Sequence, residues 1–410
     1  MCAVTVFDAV RAFVKMTVAG LLVLCTALAV ARCCHAVEAP PNSRNAYVDK
    51  VIDPRAASSV LPPAFKKLAT TAVVYMCYNR TEMIRLALES VLKSEGLNQF
   101  DVIISQDGGD GGAQLNVSVP TGTNFAYIRH SENLNAGVHH YFVRNLAFAV
   151  LGYDNLIIIE EDNILHPQAI QMLKHMLDMS LQDLEIGLVS IVDADNSNIV
   201  DMTRYGSHVI RVVISEGGHN WAYGMHASRF RAVRQHLLDY VKIIAHEDYR
   251  MLHADPLAAN IKAMYARKGV PLTIPLSQDA NLQFSLRLEG FDRRLTTVAR
   301  LMRPIGHWGL HFREDSTIFF DRFGREMYSG RVALPPRETS REDEADMARN
   351  CRLAVDKLFV ENLGRHPDEK ALSFAVSRLL AGRMNGVVLV ACVTRTAKRR
   401  TPECRDMYWV

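Results

Sequence analysis

The chain has 410 residues, 49% of them hydrophobic and 22% charged, with 47 basic against 44 acidic side chains and a net charge of +3. That length allows one large domain or two modest ones with a real core. Scattered, nearly balanced charge argues against a nucleic-acid-binding surface, and the absence of any repeat of roughly 20–50 residues argues against solenoids and propellers.

In chain order, the first feature is MTVAGLLVLCTALAVA at 16–31, uncharged and mostly apolar, preceded by Arg11 and Lys15. It is a targeting segment, and it lies between a signal-peptide core and the roughly 20 residues of a full membrane span. CHA at 34–36 offers a cleavage site, but Arg32 interrupts the approach to it. Positive charge on the N-terminal flank predicts a cytoplasmic N-terminus and a lumenal body. We read 1–36 as a cytoplasmic tail and uncleaved signal-anchor, with cleavage and secretion as the alternative. Residues 37–68, polar and proline-bearing (APPNSR, DPRAASSVLPPAFKK), read as a stem. Beyond the anchor, Cys77, Cys351, Cys392 and Cys404 allow three pairings among which sequence does not choose. Asn79-Arg80-Thr81 and Asn116-Val117-Ser118 are acceptor sequons for a lumenal chain.

From residue 71 strands and helices alternate. TAVVYM, DVIIS, NFAYIRH, NLIIIE and IGLVSIV read as strands; TEMIRLALESVLKS, VHHYFVRNLAFAVLGY and HPQAIQMLKHMLDMS read as helices. This order predicts an α/β fold with a mostly parallel sheet covered on both faces, and right-handed crossovers put the carboxyl strand ends on one edge. Three polar clusters then share that edge: CYNR at 77–80, SQDGGD at 105–110 and EEDN at 160–163. Ligands of open α/β sheets sit there. The plainer reading of EEDN is a solvated turn with Asp162 or Asn163 capping a helix near Pro167.

Carboxylates at such a mouth suit a hard divalent cation, Mn²⁺ with Mg²⁺ as the alternative, bridging two phosphates, so a nucleotide-sugar donor is the natural partner. Neither GxGxxG nor GxxxxGK[ST] is present, and DGGDGG at 107–112 reads as a flexible turn. In the second half, SQDANLQF at 277–284 opens a helix with Asp279 in its first turn, a cap on the plainer reading. His246, Glu247 and Asp248 form a rival group that reads as solvated. GGHNWAYGMH at 217–226 reads as a glycine-bearing loop carrying Trp221 and Tyr223, and His139 and His140 as residues that reach the donor base or, on the plainer reading, lie on a helix surface.

MCYNRTEMIRLALESVL, VIISQD, IIIEEDNILHP, SQDANLQFSLRLEGFDRR and PIGHWGLH, in that order over about 70–312, resemble glycosyltransferase family 13. These are type II Golgi membrane enzymes that transfer N-acetylglucosamine from UDP-GlcNAc to mannose on glycoproteins, with inversion. The resemblance implies a GT-A fold over 69–330, a nucleotide-binding α/β half joined to an acceptor-binding half. By motif, Asp162 would bind Mn²⁺, Glu160 and Glu161 the donor's sugar and ribose, Arg80 the nucleotide and Asp107 the uracil ring. Asp279 would be the general base. Glu161 departs from members that carry Asp there. PIGHWGLH would close over the donor, and His311 would add a metal contact as a late histidine does in other GT-A families. Another nucleotide sugar, or a glycan-binding scaffold that lost turnover, are the alternatives. Residues 331–410 fall outside the resemblance and read as a helical extension broken at Gly364 and Pro367, with no chemistry assigned.

Overall fold

The computed structural model describes residues 43–108, 114–191, 202–214, 220–271, 273–306, 327–363 and 366–380. The chain divides into two compact units, Met1–Ala46 and Tyr47–Val410. Of the first, only Ser43–Ala46 is described, so the apolar segment 16–31 and the CHA at 34–36 lie outside the described residues. Also outside are most of DGGDGG, the glycines at 217–218, His311, Cys392 and Cys404. No helix among the described residues is long and apolar enough to cross a membrane.

The second unit is a mixed α/β structure whose elements follow the apolar patterning closely up to residue 190. After helix α1 (Ser43–Ile52) come β1 (Thr71–Cys77), α2 (Thr81–Leu92), β2 (Asp101–Gln106) and β3 (Asn124–Arg129). Then follow α3 (Ala136–Asn145), β4 (Asn155–Glu160), β5 (Asn163–Leu165), α4 (Ala169–Ser180) and β6 (Ile186–Ser190). The remainder supplies β7 (His208–Val213), β8 (Ala222–His226), α5 (Ala227–Ile244), α6 (Leu257–Arg267) and α7 (Gln278–Leu288). It ends with β9 (Arg293–Thr297), β10 (Met302–Pro304), β11 (Arg337–Glu338), α8 (Arg341–Leu363) and α9 (Glu369–Leu380).

A nine-stranded sheet runs β11-β7-β9-β6-β8-β4-β1-β2-β3. β3, β2, β1 and β4 are parallel neighbours, as are β6 and β9. Every residue of β1 and β2 is buried, which is why both read as continuous apolar runs without alternation. Their side chains still alternate between two cores. Val73, Tyr75 and Cys77 face one core with α2 and α4; Ala72, Val74 and Met76 face another built with α3, α5 and α7. Cys77 and Cys351 are both buried and free, so they are not joined to each other.

Three sequence expectations are corrected. The end of GGHNWAYGMH is not a loop: Ala222–His226 is β8, inserted antiparallel between β4 and β6 near the middle of the sheet. Gly224 permits this, because a Cβ there would meet Leu177 Cδ1 and Val189 Cγ2 at 2.9 Å. Residues 47–68, read as part of a stem, belong to the second unit, with Val48, Val51 and Ala57 fully buried in its core. Burying each valine contributes about 1.5–3 kcal/mol, which a free stem would forgo. Finally, 331–338 is not part of a separate extension: Val332 is buried in the core and β11 pairs parallel with β7.

Candidate active site

The carboxyl ends of β1, β2 and β4 and the start of the antiparallel β8 meet at one edge of the sheet. There the Glu160 N–H donates to the Trp221 carbonyl at 3.1 Å, so β8 fixes where β4 stops being a strand and the acidic run begins. Glu160, Glu161 and Asp162 then point to three different surroundings.

Glu161 is buried and turned inward. Its Oε2 accepts the Tyr78 N–H at 2.6 Å and its Oε1 accepts Arg80 Nε at 2.5 Å. Both oxygens accept hydrogen bonds within the protein, and Glu161 braces Arg80 at the strand ends. Arg80 precedes α2 but makes no cap there. Its guanidinium instead spans to Asp162 Oδ2 at 3.0 Å, and the two carboxylates hold the arginine charged despite its partial burial. Asp162 is 16% exposed at the crevice mouth. Its Oδ1 accepts Asn163 Nδ2 at 3.0 Å, and its carbonyl accepts the Ile305 N–H at 2.7 Å. That contact follows from β10 pairing with β5, which brings Gly306 beside the carboxylate. A Cβ on Gly306 would lie 2.5 Å from Asp162 Oδ2. Asp162 Oδ2 is shared with Arg80 and Oδ1 with Asn163, so a hard divalent cation at this carboxylate would compete with the guanidinium. The rest of the predicted closing loop, 307–311, lies outside the described residues.

Glu160 faces the interior of the crevice, and Asp279 meets it from the other half. Ser277, not Asp279, caps α7, its side chain accepting the Ala280 N–H at 3.4 Å. The helix start is pinned by the Gln278 N–H donating to Tyr249 Oη at 3.1 Å and by Tyr240 Oη donating to the Leu276 carbonyl at 2.7 Å. Glu160 Oε1 and Asp279 Oδ1 are both buried without a hydrogen-bond partner. Burial, then the charge on Glu160, push the Asp279 carboxyl up to about 6, with His140 and Arg144 opposing. Burial, then Asp162, push Glu160 well above the ordinary carboxylate range. Burial and a neighbouring carboxylate make each group harder to ionise than it would be in water.

Sequence reading missed the third member of this group. His140, expected on a helix surface, is 3% exposed, with Nε2 3.2 Å from Glu160 Oε1. One ligating atom each of His140, Glu160 and Asp279 lies within 4.8 Å of the other two. Arg144, one turn further along α3, donates from Nε to Tyr223 Oη at 2.9 Å. His139 is buried as well, its Nε2 2.8 Å from Ser105 Oγ. Asp107, predicted at the uracil, is buried and anchors a loop, its Oδ1 accepting the Leu134 N–H at 2.7 Å and the Gly108 N–H at 2.9 Å. His246, Glu247 and Asp248 are exposed, as predicted.

No protein-family model matches the chain, and no curated protein sequence matches it. Among solved structures it is similar to residues 1–349 of S. aureus TarS, at 10% identity over 80% of this chain and 90% of that one, with a TM-score of 0.32. TarS 1–349 in complex with UDP gives 9% identity, the same coverage and the same score. A putative nucleotide-diphospho-sugar transferase from Desulfovibrio desulfuricans G20 gives 14% identity over 40% of this chain and 66% of that one, with a TM-score of 0.26. Likenesses this weak carry no argument about chemistry, which rests on the residues above.

The Asp279 carboxyl sits at about 6 in the folded chain against an ordinary 3.8, so folding takes up a proton between these values and stability falls as pH rises through that window. Asp279→Asn removes the penalty. The variant is expected to be more stable than the parent by about 1–3 kcal/mol at pH 7.5 and equal to it below pH 4. Urea unfolding at both pH values checks this, and a variant less stable at pH 7.5 would contradict the placement of Asp279.

Proposed function

We propose that the chain is a nucleotide-sugar glycosyltransferase of GT-A type. In the finer reading it moves N-acetylglucosamine from UDP-GlcNAc to a mannose-containing glycan on a glycoprotein, with inversion. The observation that carries the chemistry is the pairing of Asp279 with Glu160, each with a buried unpartnered oxygen, at the ligand edge of the sheet. The choice of N-acetylglucosamine and mannose is supported by the sequence blocks that resemble glycosyltransferase family 13.

Asp279 would accept the proton of the acceptor hydroxyl as its oxygen bonds to the anomeric carbon from one face. The bond from that carbon to the diphosphate oxygen breaks on the other face, and UDP leaves with the electron pair. A carboxyl near 6 is mostly ionised at neutral pH and more basic than an ordinary aspartate, which suits this task. Arg80 and Asp107, at the ends of β1 and β2, would bound the nucleotide, and Glu160 the transferred sugar. Arg80 carries charge that a diphosphate can share with Asp162. Asp162 would hold Mn²⁺ or Mg²⁺, which when bound supplies the positive charge a departing diphosphate needs.

The N-terminal segment supports a type II Golgi membrane protein with this domain in the lumen. The chain should then stay in the membrane pellet after alkaline extraction; a mature N-terminus at Val37 would instead mean cleavage and secretion.

For the chemistry, Asp279→Asn is expected to lower kcat by about 10²-fold or more while leaving UDP affinity within a few-fold. Steady-state kinetics together with calorimetry of UDP binding separate the cases. Collapse of UDP affinity would make Asp279 a donor-site residue, and unchanged turnover would place the base elsewhere.

A further inference from the structure

The His140 ring is enclosed by groups that settle where its proton sits. Arg144 NH2 lies 3.5 Å from His140 Nδ1, and the same NH2, together with Nε, donates to Tyr223 Oη. The guanidinium carbon lies 5.7 Å from the Tyr223 ring centroid. A guanidinium has donors only. Nδ1 therefore has to be the acceptor, and a neutral ring then carries its hydrogen on Nε2. Burial, and after it the charge of Arg144, lower the His140 pKa to about 3, so the ring is neutral throughout the physiological range.

Nε2 is the atom that faces the two carboxylates, 3.2 Å from Glu160 Oε1. Yet Glu160 Oε1 and Asp279 Oδ1 are without hydrogen-bond partners, so the Nε2 contact to Glu160 is close without being a hydrogen bond. One fixed donor and two acceptors thus surround one gap. A sugar hydroxyl can accept the His140 N–H and give its one hydrogen to either carboxylate oxygen. A metal ion would need the Nε2 lone pair, and freeing it would move the proton to Nδ1, where it would meet the guanidinium donor at 3.5 Å. The group that looks most like a cation site by residue type is thereby better suited to a sugar hydroxyl.

We propose that His140, locked as its Nε2–H tautomer by Arg144 and Tyr223, gives one hydrogen bond to a sugar hydroxyl held between Glu160 and Asp279. The identity of the hydroxyl rests on the glycosyl-transfer reading; the tautomer does not. His140 is then a substrate-binding residue, and Arg144 and Tyr223 are positioning residues that act through it. This role is distinct from the metal and nucleotide contacts at Asp162 and Arg80.

The lock is read directly by two-bond ¹H–¹⁵N correlation on the full chain labelled with ¹⁵N-histidine, with His140 assigned from His140→Gln. The parent is expected to show the Nε2–H pattern, unshifted between about pH 5 and 8, where an unconstrained histidine titrates. Tyr223→Phe, which frees Arg144 without touching the ring or changing the fold's volume, should mix the two tautomers. An Nδ1–H pattern in the parent, or a His140 that titrates in this range, would overturn the lock. So would a His140 Nε2 signal displaced by Mn²⁺ or Zn²⁺ alone, which would make the cluster a metal site. In transfer assays His140→Gln, whose amide nitrogen replaces Nε2, should stay within about 10-fold of the parent in kcat, whereas His140→Asn, which falls short of the gap, should lose about 10²-fold, the scale for one directed donor. Equal losses in the two would overturn the hydroxyl contact. If no nucleotide sugar is turned over, the tautomer measurement still decides the lock, so the two readings fail separately.

Discussion

Three consecutive carboxylates at the end of a buried strand repel one another, and the architecture of the site is the set of ways this chain offsets that repulsion. Arg80 covers Glu161 and Asp162 from the β1 side. Arg144, tied to Tyr223, stands behind His140 on the Glu160 side. Glu160 is raised by burial and then by the charge of Asp162, which Arg80 and Arg144 offset only in part. Asp279, brought to Glu160 by α7, is raised by its own burial and then by the charge of Glu160. The compensation is thus uneven. It is complete where the chain holds itself together and incomplete where a substrate group could complete it, the arrangement expected of a site that does acid–base work.

Delivering these groups to one place depends on two long-range features. The antiparallel β8 brings Trp221 and Tyr223 to the carboxyl edge that a purely parallel sheet would fill with another strand end. The small β5–β10 pair ties Asp162 to the segment at 305–306, far away in sequence. Removing either would leave the acidic run in place and its surroundings absent. The chemistry is therefore a property of the assembled edge, and not of the EED run by itself.

The parallel half was legible because its strands, buried on both faces, announce themselves as runs such as LIIIE, and its helices keep an apolar stripe. Asp162, Arg80 and Asp279 were legible as polar residues at predictable strand or helix ends. β8 was not: its sequence mixes Trp, Gly and His, and its place is set by partners on β4 and β6. His140 and Arg144 were misjudged for a different reason. Nearly every residue of α3 is buried, between the sheet and helices α5 and α7, so no polar face marks which side is inside. A helix with polar residues on all sides but no solvent face carries its polar groups for a reason, and their spacing of four places them one turn apart on one side. The two oxygens of Glu161 could not be assigned from sequence either, since their engagement depends on how Arg80 folds back over the strand ends.

The account's central claim is that this edge binds and splits a nucleotide sugar. The most direct test follows UDP release by the full chain in detergent, offered a panel of nucleotide sugars with a mannose-terminated acceptor, with and without EDTA. The account predicts acceptor-dependent UDP release that is fastest with UDP-GlcNAc and is lost on chelation. A folded chain that neither binds nor turns over any UDP-sugar would contradict it.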